Sequence, residues 1–462
     1  MALKLAKRIL SVLTAAVTAG VLASALPLNA SAELPSETAK FMDAMGAGWN
    51  LGNTLDAHGS WVSGLNTETC WGNPKTTAAM IREVHKAGFE TIRIPVTWYG
   101  HVDNDYKIDG AWLARVKEVV DYAYEDGMHV ILNIHHDVLE DRSDKGYYPD
   151  SAHKDISLKY LNTVWSQIAE EFKDYDEKLI FETLNEPRLV GDSLEWSSPR
   201  WVNDSRLTDS CEVINELNQA IVDLIRASGG NNATRYIMAP GYAASADSAL
   251  ADVYKLPTDP VSSNVGKIAV STHAYTPYEL CLTSGKSNFD DSAKQSLDGL
   301  FNDLNNKFIS KGIPVIMGET GITYKNNQTD CDNWAAYYYG YSEKYDIPCV
   351  VWDNGVRDGG GGECHAHLNR NDLTWYDPTF VSAIMNAVTV EKQPEPTVLY
   401  GDVDNSGAVD MQDLALLQQY LAKWDVSISE PAADVDCNGE LNMLDLALLQ
   451  QFLAHWDVKL GK

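Results

Sequence analysis

The chain of 462 residues has little to offer a redox or transition-metal centre. Its seven cysteines (Cys70, Cys211, Cys281, Cys331, Cys349, Cys364 and Cys437) are odd in number and match no zinc spacing. Free, buried thiols are therefore expected, since a chain this long can build a core without disulfides. His135-His136-Asp137 and Cys364 with His365 and His367 also lack metal-ligand spacing, so no catalytic metal is expected. Basic residues are scarce: 36 Lys and Arg against 65 Asp and Glu leave a net charge of −29. Such a surface repels nucleic acid and anionic membrane, which excludes both as partners. There is no Gly-x-Ser-x-Gly elbow for a serine hydrolase. The four glycines at 359–362 lack the Gly-Lys-Ser/Thr ending of a phosphate loop and read as a flexible rim loop. Beyond residue 32 no apolar run is long enough to span a bilayer.

Residues 1–32 read as a signal peptide. Lys4, Lys7 and Arg8 precede an apolar run, and Ala30-Ser31-Ala32 is a small-x-small cleavage site, so a secreted, extracellular protein is expected. The length favours two domains. Short apolar, strand-forming runs occur at 44–53, 90–95, 129–134, 179–187, 235–239, 267–272, 315–319 and 349–352. Helical spacing lies between most of them, at 76–87, 111–126, 155–172, 209–227, 292–310 and 330–344, with a last helix at 378–387. Eight alternating units predict an α/β fold, a closed (β/α)8 TIM barrel over residues 33–389.

Right-handed crossovers put every strand's C-terminal end on one face. The polar residues at those ends are Asn53, Arg93, His135, His136, Asn185, Glu186, His273, Glu319 and Trp352. Glu186 ends an apolar run in Asn-Glu-Pro, and Glu319 ends another in Gly-Glu-Thr. Two strand-end carboxyls facing one another can cut a glycosidic bond, one as proton donor and one as nucleophile. Arg93 is expected to hold Glu319 ionised as the nucleophile. Glu186 is expected to have a raised pKa, partly through the charge of Glu319, as the acid requires. Asn185 is the candidate for a sugar 2-hydroxyl, His135, His273 and Tyr275 for orienting carboxylates and hydroxyls, and Trp352 for a pyranose platform. A gap between the carboxyls of about 5–5.5 Å is expected, the spacing of retaining enzymes.

Residues 390–398 are Pro- and charge-rich and read as a linker. Residues 399–462 hold an internal repeat, two acidic loops each leading into Leu-Ala-Leu-Leu-Gln-Gln-aromatic-Leu. Loop positions one, three, five and twelve are Asp402, Asp404, Ser406 and Asp413 in the first copy, and Asp434, Asp436, Asn438 and Asp445 in the second. Oxygen donors at that spacing, with Gly at position six, suit Ca2+ in a small all-α, EF-hand-like module. Such an ion would be structural, supplying folding energy. Met411-Gln412 and Met443-Leu444, at the helix starts, are the candidates for partner recognition.

The barrel resembles family 5 glycoside hydrolases, in particular the endo-β-1,4-glucanase branch. The resemblance rests on Gly48-Trp-Asn-Leu-Gly-Asn-Thr-Leu-Asp56, Trp71-Gly-Asn-Pro74, Ile92-Arg-Ile-Pro-Val-Thr-Trp98, Val130-Ile-Leu-Asn-Ile-His-His136, Phe181-Glu-Thr-Leu-Asn-Glu-Pro187, His273-Ala-Tyr275 and Gly318-Glu-Thr320. It implies Glu186 as proton donor, Glu319 as nucleophile, and Arg93, His135, Asn185, His273 and Tyr275 around them. It also implies a cellulase that cuts inside β-1,4-glucan chains without a catalytic cofactor. Members of that branch act on xyloglucan, mixed-linkage glucan (lichenan) or xylan as well. A non-catalytic carbohydrate-binding barrel is the competing class. The C-terminal repeat resembles a type I dockerin, which implies a cohesin partner on a cellulosome scaffold.

Overall fold

The computed structural model describes residues 34–139, 145–358, 362–388, 399–404, 406–424, 426–436, 441–456 and 458–461. The segments expected to be a signal peptide (residues 1–32) and a linker (residues 390–398), the first three residues of the glycine run, Cys437 and Asn438 lie outside these. The chain divides into two compact units, Ala32–Thr397 and one that contains Val398–Lys462.

In the larger unit eight parallel strands close into a barrel in sequence order. They are β1 (Gly48–Leu51), β2 (Thr91–Ile94), β3 (His129–Asn133), β4 (Leu179–Glu182), β5 (Ile237–Ser245), β6 (Ile268–His273), β7 (Val315–Thr320) and β8 (Cys349–Asp353). β8 pairs back onto β1, Gly48 against Val350 through Leu51 against Asp353.

Both faces of each strand are buried, and the period of two separates them. Trp49, Leu51, Ile92, Ile94, Val130, Leu132, Leu179, Phe181, Val315, Met317, Cys349 and Val351 join the outer core, beneath the helices. The alternate residues Ile131, Ile180, Met238, Ala269, Ile316 and Val350 form an inner cluster. Helix Ser36–Met45 supplies Phe41, Met42 and Met45 to the same cluster. The next inward layer toward the C-terminal ends is polar: Asn50, Arg93, Asn133, Glu182 and Ser271, all fully buried.

The expected helices are present with ends shifted by a few residues: Ala78–Lys86, Gly110–Glu125, Lys154–Glu171, Ser205–Ala227, Asp291–Leu304, Gln328–Tyr345 and Pro378–Val388. Three differences have physical reasons. Residues 44 and 45, expected in the first strand, close the helix beneath the barrel, where Met45 is fully buried. β5 runs on to Ser245 because its register shifts between Pro240 and Ser245, with Ala243 and Ala244 at positive φ. The helix expected through residue 310 changes to a wider π turn over Asn305–Ile309. The six described cysteines form no disulfide with one another. None of the described helices is long and apolar enough to cross a membrane.

The smaller unit has helices Met411–Leu421 and Met443–Leu453, each opened by a capping box, Asp410 with Asp413 and Asn442 with Asp445. A short helix, Glu430–Ala433, lies between them in sequence. Val403, Leu417, Ala433 and Leu449 make its core.

Candidate active site

Arg93 stands in the middle of β2 with its guanidinium fully buried inside the barrel. It donates through Nη1 to Glu319 Oε1 at 2.8 Å and to Asn50 Oδ1 at 3.0 Å. Nη2 donates to Asn185 Oδ1 at 2.7 Å, and Nε to Glu182 Oε2 at 2.8 Å. One fixed cation thus joins β1, β2, β4 and β7, a use suited to guanidinium's planar fork. With its carbonyl oxygen so engaged, Asn185 has its amide NH2 as the donor that can reach a ligand hydroxyl.

Glu319 lies within β7, and Glu186 stands four residues past the end of β4. A carboxylate oxygen of each, together with a ring nitrogen of His273, lie within 4.8 Å of one another. Tyr275 donates its hydroxyl to Glu319 Oε2 at 2.9 Å. Burial first, then the charges of Glu319 and Glu186, raise the Tyr275 pKa far above its ordinary value, so it is a permanent donor. Arg188 Nη1 donates to the Glu186 carbonyl at 2.9 Å and lies 3.8 Å from Glu186 Oε2.

His273 ends β6 between the acids. Nδ1 is 2.9 Å from Glu186 Oε1 and 3.7 Å from Glu319 Oε2, and Nε2 is 3.8 Å from Glu182 Oε1. Burial opposes its charge, but Glu319, Glu182 and Glu186 outweigh that and raise its pKa to about 9. Burial likewise pushes Glu186 upward. The His273 hydrogen bond and charge, helped by Arg188 and Arg93, reverse this and leave its pKa below the ordinary value. The expected raised pKa of Glu186 is therefore corrected for the free site: an imidazolium facing it outweighs burial.

His135 accepts from Asn133 Nδ2 at Nδ1, 3.1 Å away, an orientation fixed because Asn133 Oδ1 accepts from Val96 N. Its proton therefore sits on Nε2, and burial with the charges of His136 and Arg93 keeps the ring neutral. Trp352 lies parallel to His135 with centroids 6.0 Å apart. Gly52 makes room for it, since a Cβ there would come within 2.7 Å of the indole. His136 packs against His58 and Trp71, with Nε2 3.8 Å from Asp56. Asn53, at φ 56°, is tied through its backbone to Asp56 and Asn73. None of these hydrogen bonds runs to the two carboxylates.

The geometry thus brings Arg93, Asn185, Glu186, His273, Tyr275 and Glu319 into one hydrogen-bonded group, with His135 joined to it through Asn133 and Glu182. Asn50, Asn133, Glu182 and Ser271 were not picked out from the sequence. The available signal was parity: each is a polar residue in an apolar strand, on the face that Arg93 shares. Exposed Trp61, Trp196, Trp201 and Tyr278 were missed as well. Trp61, Trp196 and Trp201 lie in the loops after β1 and β4, and Tyr278 opens a four-residue helix after β6; such connections carry only weak sequence patterning.

The sequence model of cellulase (glycosyl hydrolase family 5) matches residues 55–358, and that of the dockerin type I domain matches residues 400–454. The chain belongs to glycosyl hydrolase family 5. It is a glycoside hydrolase with a C-terminal type I dockerin domain. Cellulase/esterase CelE of Acetivibrio thermocellus is 40% identical over 397 residues, covering 81% of this chain and 46% of its own length. This chain thus spans about half of that relative. A family 5 lichenase from Caldicellulosiruptor sp. F32, solved as a mutant with cellotetraose, aligns at TM-score 0.73 and 42% identity over 78% of this chain and 98% of its own. XEG5A, a xyloglucan-specific endo-β-1,4-glucanase from a metagenomic library solved with cellotriose, aligns at TM-score 0.69 and 39% identity over 76% of this chain and 99% of its own.

In the dockerin domain one oxygen each of Asp402, Asp404 and Asp413 lie within 4.8 Å of one another, as do those of Asp434, Asp436 and Asp445. Ser406 donates its backbone N–H to Asp402 Oδ1 at 2.8 Å, and Gly407 to Oδ2 at 2.9 Å. Asp445 is fully buried, and its Oδ1 takes no hydrogen bond among the described residues. Three converging carboxylates and one buried oxygen without a donor fit a hard cation such as Ca2+.

Proposed function

We propose that this enzyme hydrolyses internal β-1,4-glucosidic bonds of cellulose and related β-glucans with retention of anomeric configuration. The observation that carries this reading is the proximity of Glu186 and Glu319, with oxygens within 4.8 Å. Inverting enzymes leave about 6.5–9.5 Å between the two carboxyls for a water molecule, whereas direct attack needs the shorter gap. Glu319, oriented by Arg93 and Tyr275, attacks the anomeric carbon and forms a glycosyl-enzyme ester. Glu186 gives a proton to the departing glycosidic oxygen. As a carboxylate it then takes a proton from the water that breaks the ester, which restores both groups.

The remaining groups bind the glucan. Asn185 donates to the 2-hydroxyl, His135 Nε2–H to a neighbouring hydroxyl, and Trp352 supports a glucosyl ring. His136 and Asn53 bound the same side of the cleft. Trp61, Trp196, Trp201 and Tyr278, spread over three loops, would support further rings of a long chain. That arrangement favours cutting within a polymer over trimming its end.

A mixed-linkage glucanase or xyloglucanase is the second reading, favoured by the lichenase and the xyloglucan-specific enzyme among the structural neighbours. The dockerin domain is proposed to hold Ca2+ at Asp402, Asp404, Ser406 and Asp413, and at Asp434, Asp436, Asn438 and Asp445. It is proposed to dock on a cohesin of an extracellular scaffold after export through residues 1–32. The test of the catalytic reading is Glu186→Gln and Glu319→Gln on a soluble β-glucan. Each should lose on the order of 10³-fold or more in kcat. Near-native turnover in either variant overturns it.

A further inference from the structure

The polar layer beneath the two proposed catalytic acids holds a third carboxylate, Glu182. It is fully buried. Arg93 Nε donates to its Oε2 at 2.8 Å, and Asn133 Nδ2 to the same oxygen at 2.9 Å. Ser271 Oγ donates to Oε1 at 2.6 Å, and His273 Nε2 is 3.8 Å from that oxygen. His273 thus stands between Glu182 on its Nε2 side and Glu186 on its Nδ1 side. Gly318 on β7 keeps this arrangement open. A Cβ there would come within 3.1 Å of His273 Nε2 and 3.2 Å of Glu182 Oε1.

We propose that Glu182 is a positioning residue whose buried charge holds a proton on His273 and, through it, sets the pH range over which Glu186 can act as the acid. This deepens the proposed function and rests on it. The groups facing His273 come from every side. Arg93 reaches it from β2, with Nη2 3.5 Å from Nε2. Glu182 and Glu186 come from β4 and its exit, and Glu319 from β7. His135, past the end of β3, is neutral. With both bases charged, two cations face three carboxylates. Moving the Nδ1 proton to Glu186 Oε1 leaves His273 and Glu186 both neutral and the cluster's total charge unchanged. The pair therefore holds one proton in either arrangement, and the last pKa of activity belongs to the pair. Burial opposes the charge on His273, and Glu182 is the carboxylate on its Nε2 side that pulls the other way. Neutralising Glu182 leaves Arg93 and His273 with one partner fewer, so the pair must release its proton at lower pH.

The experiment is a titration of ring ¹⁵N shifts in the full-length protein, with His273 assigned through His273→Gln. Wild-type His273 should titrate well above 6.5. Glu182→Gln should lower that midpoint by roughly one to three pH units. The alkaline limb of kcat/KM on a soluble β-glucan should fall by the same amount. Glu182→Asp keeps the charge and should keep the limb, even if kcat falls. A wild-type His273 midpoint at or below 6.5 overturns the proposal whether or not any variant folds. So does a Glu182→Gln protein with an unmoved midpoint and limb. The titration needs no turnover, so its failure is separate from a failure of the catalytic assignment, which would appear as surviving activity in Glu186→Gln or Glu319→Gln.

Discussion

Glu186 and Glu319 carry the same functional group, and the opposite tasks proposed for them rest on their different neighbours. Glu319 receives Arg93 Nη1 and the Tyr275 hydroxyl, two fixed donors that aim it. Glu186 faces His273, which can lend it a proton or take one away. A glucan chain leaves as a poor alkoxide and needs that proton, whereas an activated phenol does not. Glu186→Gln should therefore lose on the order of 10³-fold in kcat/KM, which reports the step up to ester formation, on β-glucan and far less in kcat/KM on a dinitrophenyl cellobioside. Equal losses on both would contradict its role as acid. The same cluster shapes stability against pH. The His273 pKa is raised from 6.5 to about 9, so its contribution is complete below 6.5 and fades as pH rises through 9. The Glu182 pKa is lowered from 4.5 to about 2 by Arg93, with His273 and Ser271, against burial. Its contribution is complete above 4.5 and fades as pH falls through 2. Thermal unfolding should therefore peak between about pH 4.5 and 6.5 and decline on both sides. A midpoint still rising from pH 6.5 to 9 would show that the cluster does not govern it.

At the scale of elements, most of the barrel was legible because buried parallel strands read as short apolar runs and their ends as sudden polarity. Leu179–Glu182 followed by Asn185-Glu186-Pro187 illustrates both signals. Less legible was anything set by the third dimension. Glu182 reads as one more residue of a strand until closure brings it against Arg93, 89 positions away. The β5 extension rests on a register shift, and helix Ser36–Met45 has a task only because the barrel above it needs a floor. Met45 is fully buried in that floor with Ile131, Ile180 and Val350. Met45→Ala should cost about 2–5 kcal/mol of stability by denaturant titration, with kcat little changed below the transition. A cost under about 0.5 kcal/mol would place the helix outside the cooperative fold. The loops past β1 and β4 carry exposed Trp61, Trp196 and Trp201, and Trp196, with its ring 4.2 Å from the Arg188 guanidinium, lies on the Glu186 side. Trp196→Ala should raise KM for polymeric glucan several-fold with a smaller effect on cellotriose hydrolysis.

Across the whole molecule, one chain joins a hydrolase to a small module whose core, among the described residues, centres on Val403, Leu417, Ala433 and Leu449. So small a core needs help from a bound ion, and the two acidic clusters offer oxygen ligands for one. Chelation of Ca2+ should therefore unfold residues 399–462 and abolish capture by a cohesin, leaving hydrolysis of soluble glucan intact. Capture that survives excess chelator would contradict the calcium reading. The two units also differ in how much the sequence disclosed. The repeat announces its candidate ligands by spacing alone, whereas the barrel's candidate site assembles residues from position 50 to position 319 that only closure unites. The central claim is that Glu186 and Glu319 act as a retaining pair across that site. Proton NMR of the first sugar released from cellotetraose, recorded before mutarotation, tests it most directly. The β-anomer is the predicted first product; the α-anomer would contradict the account.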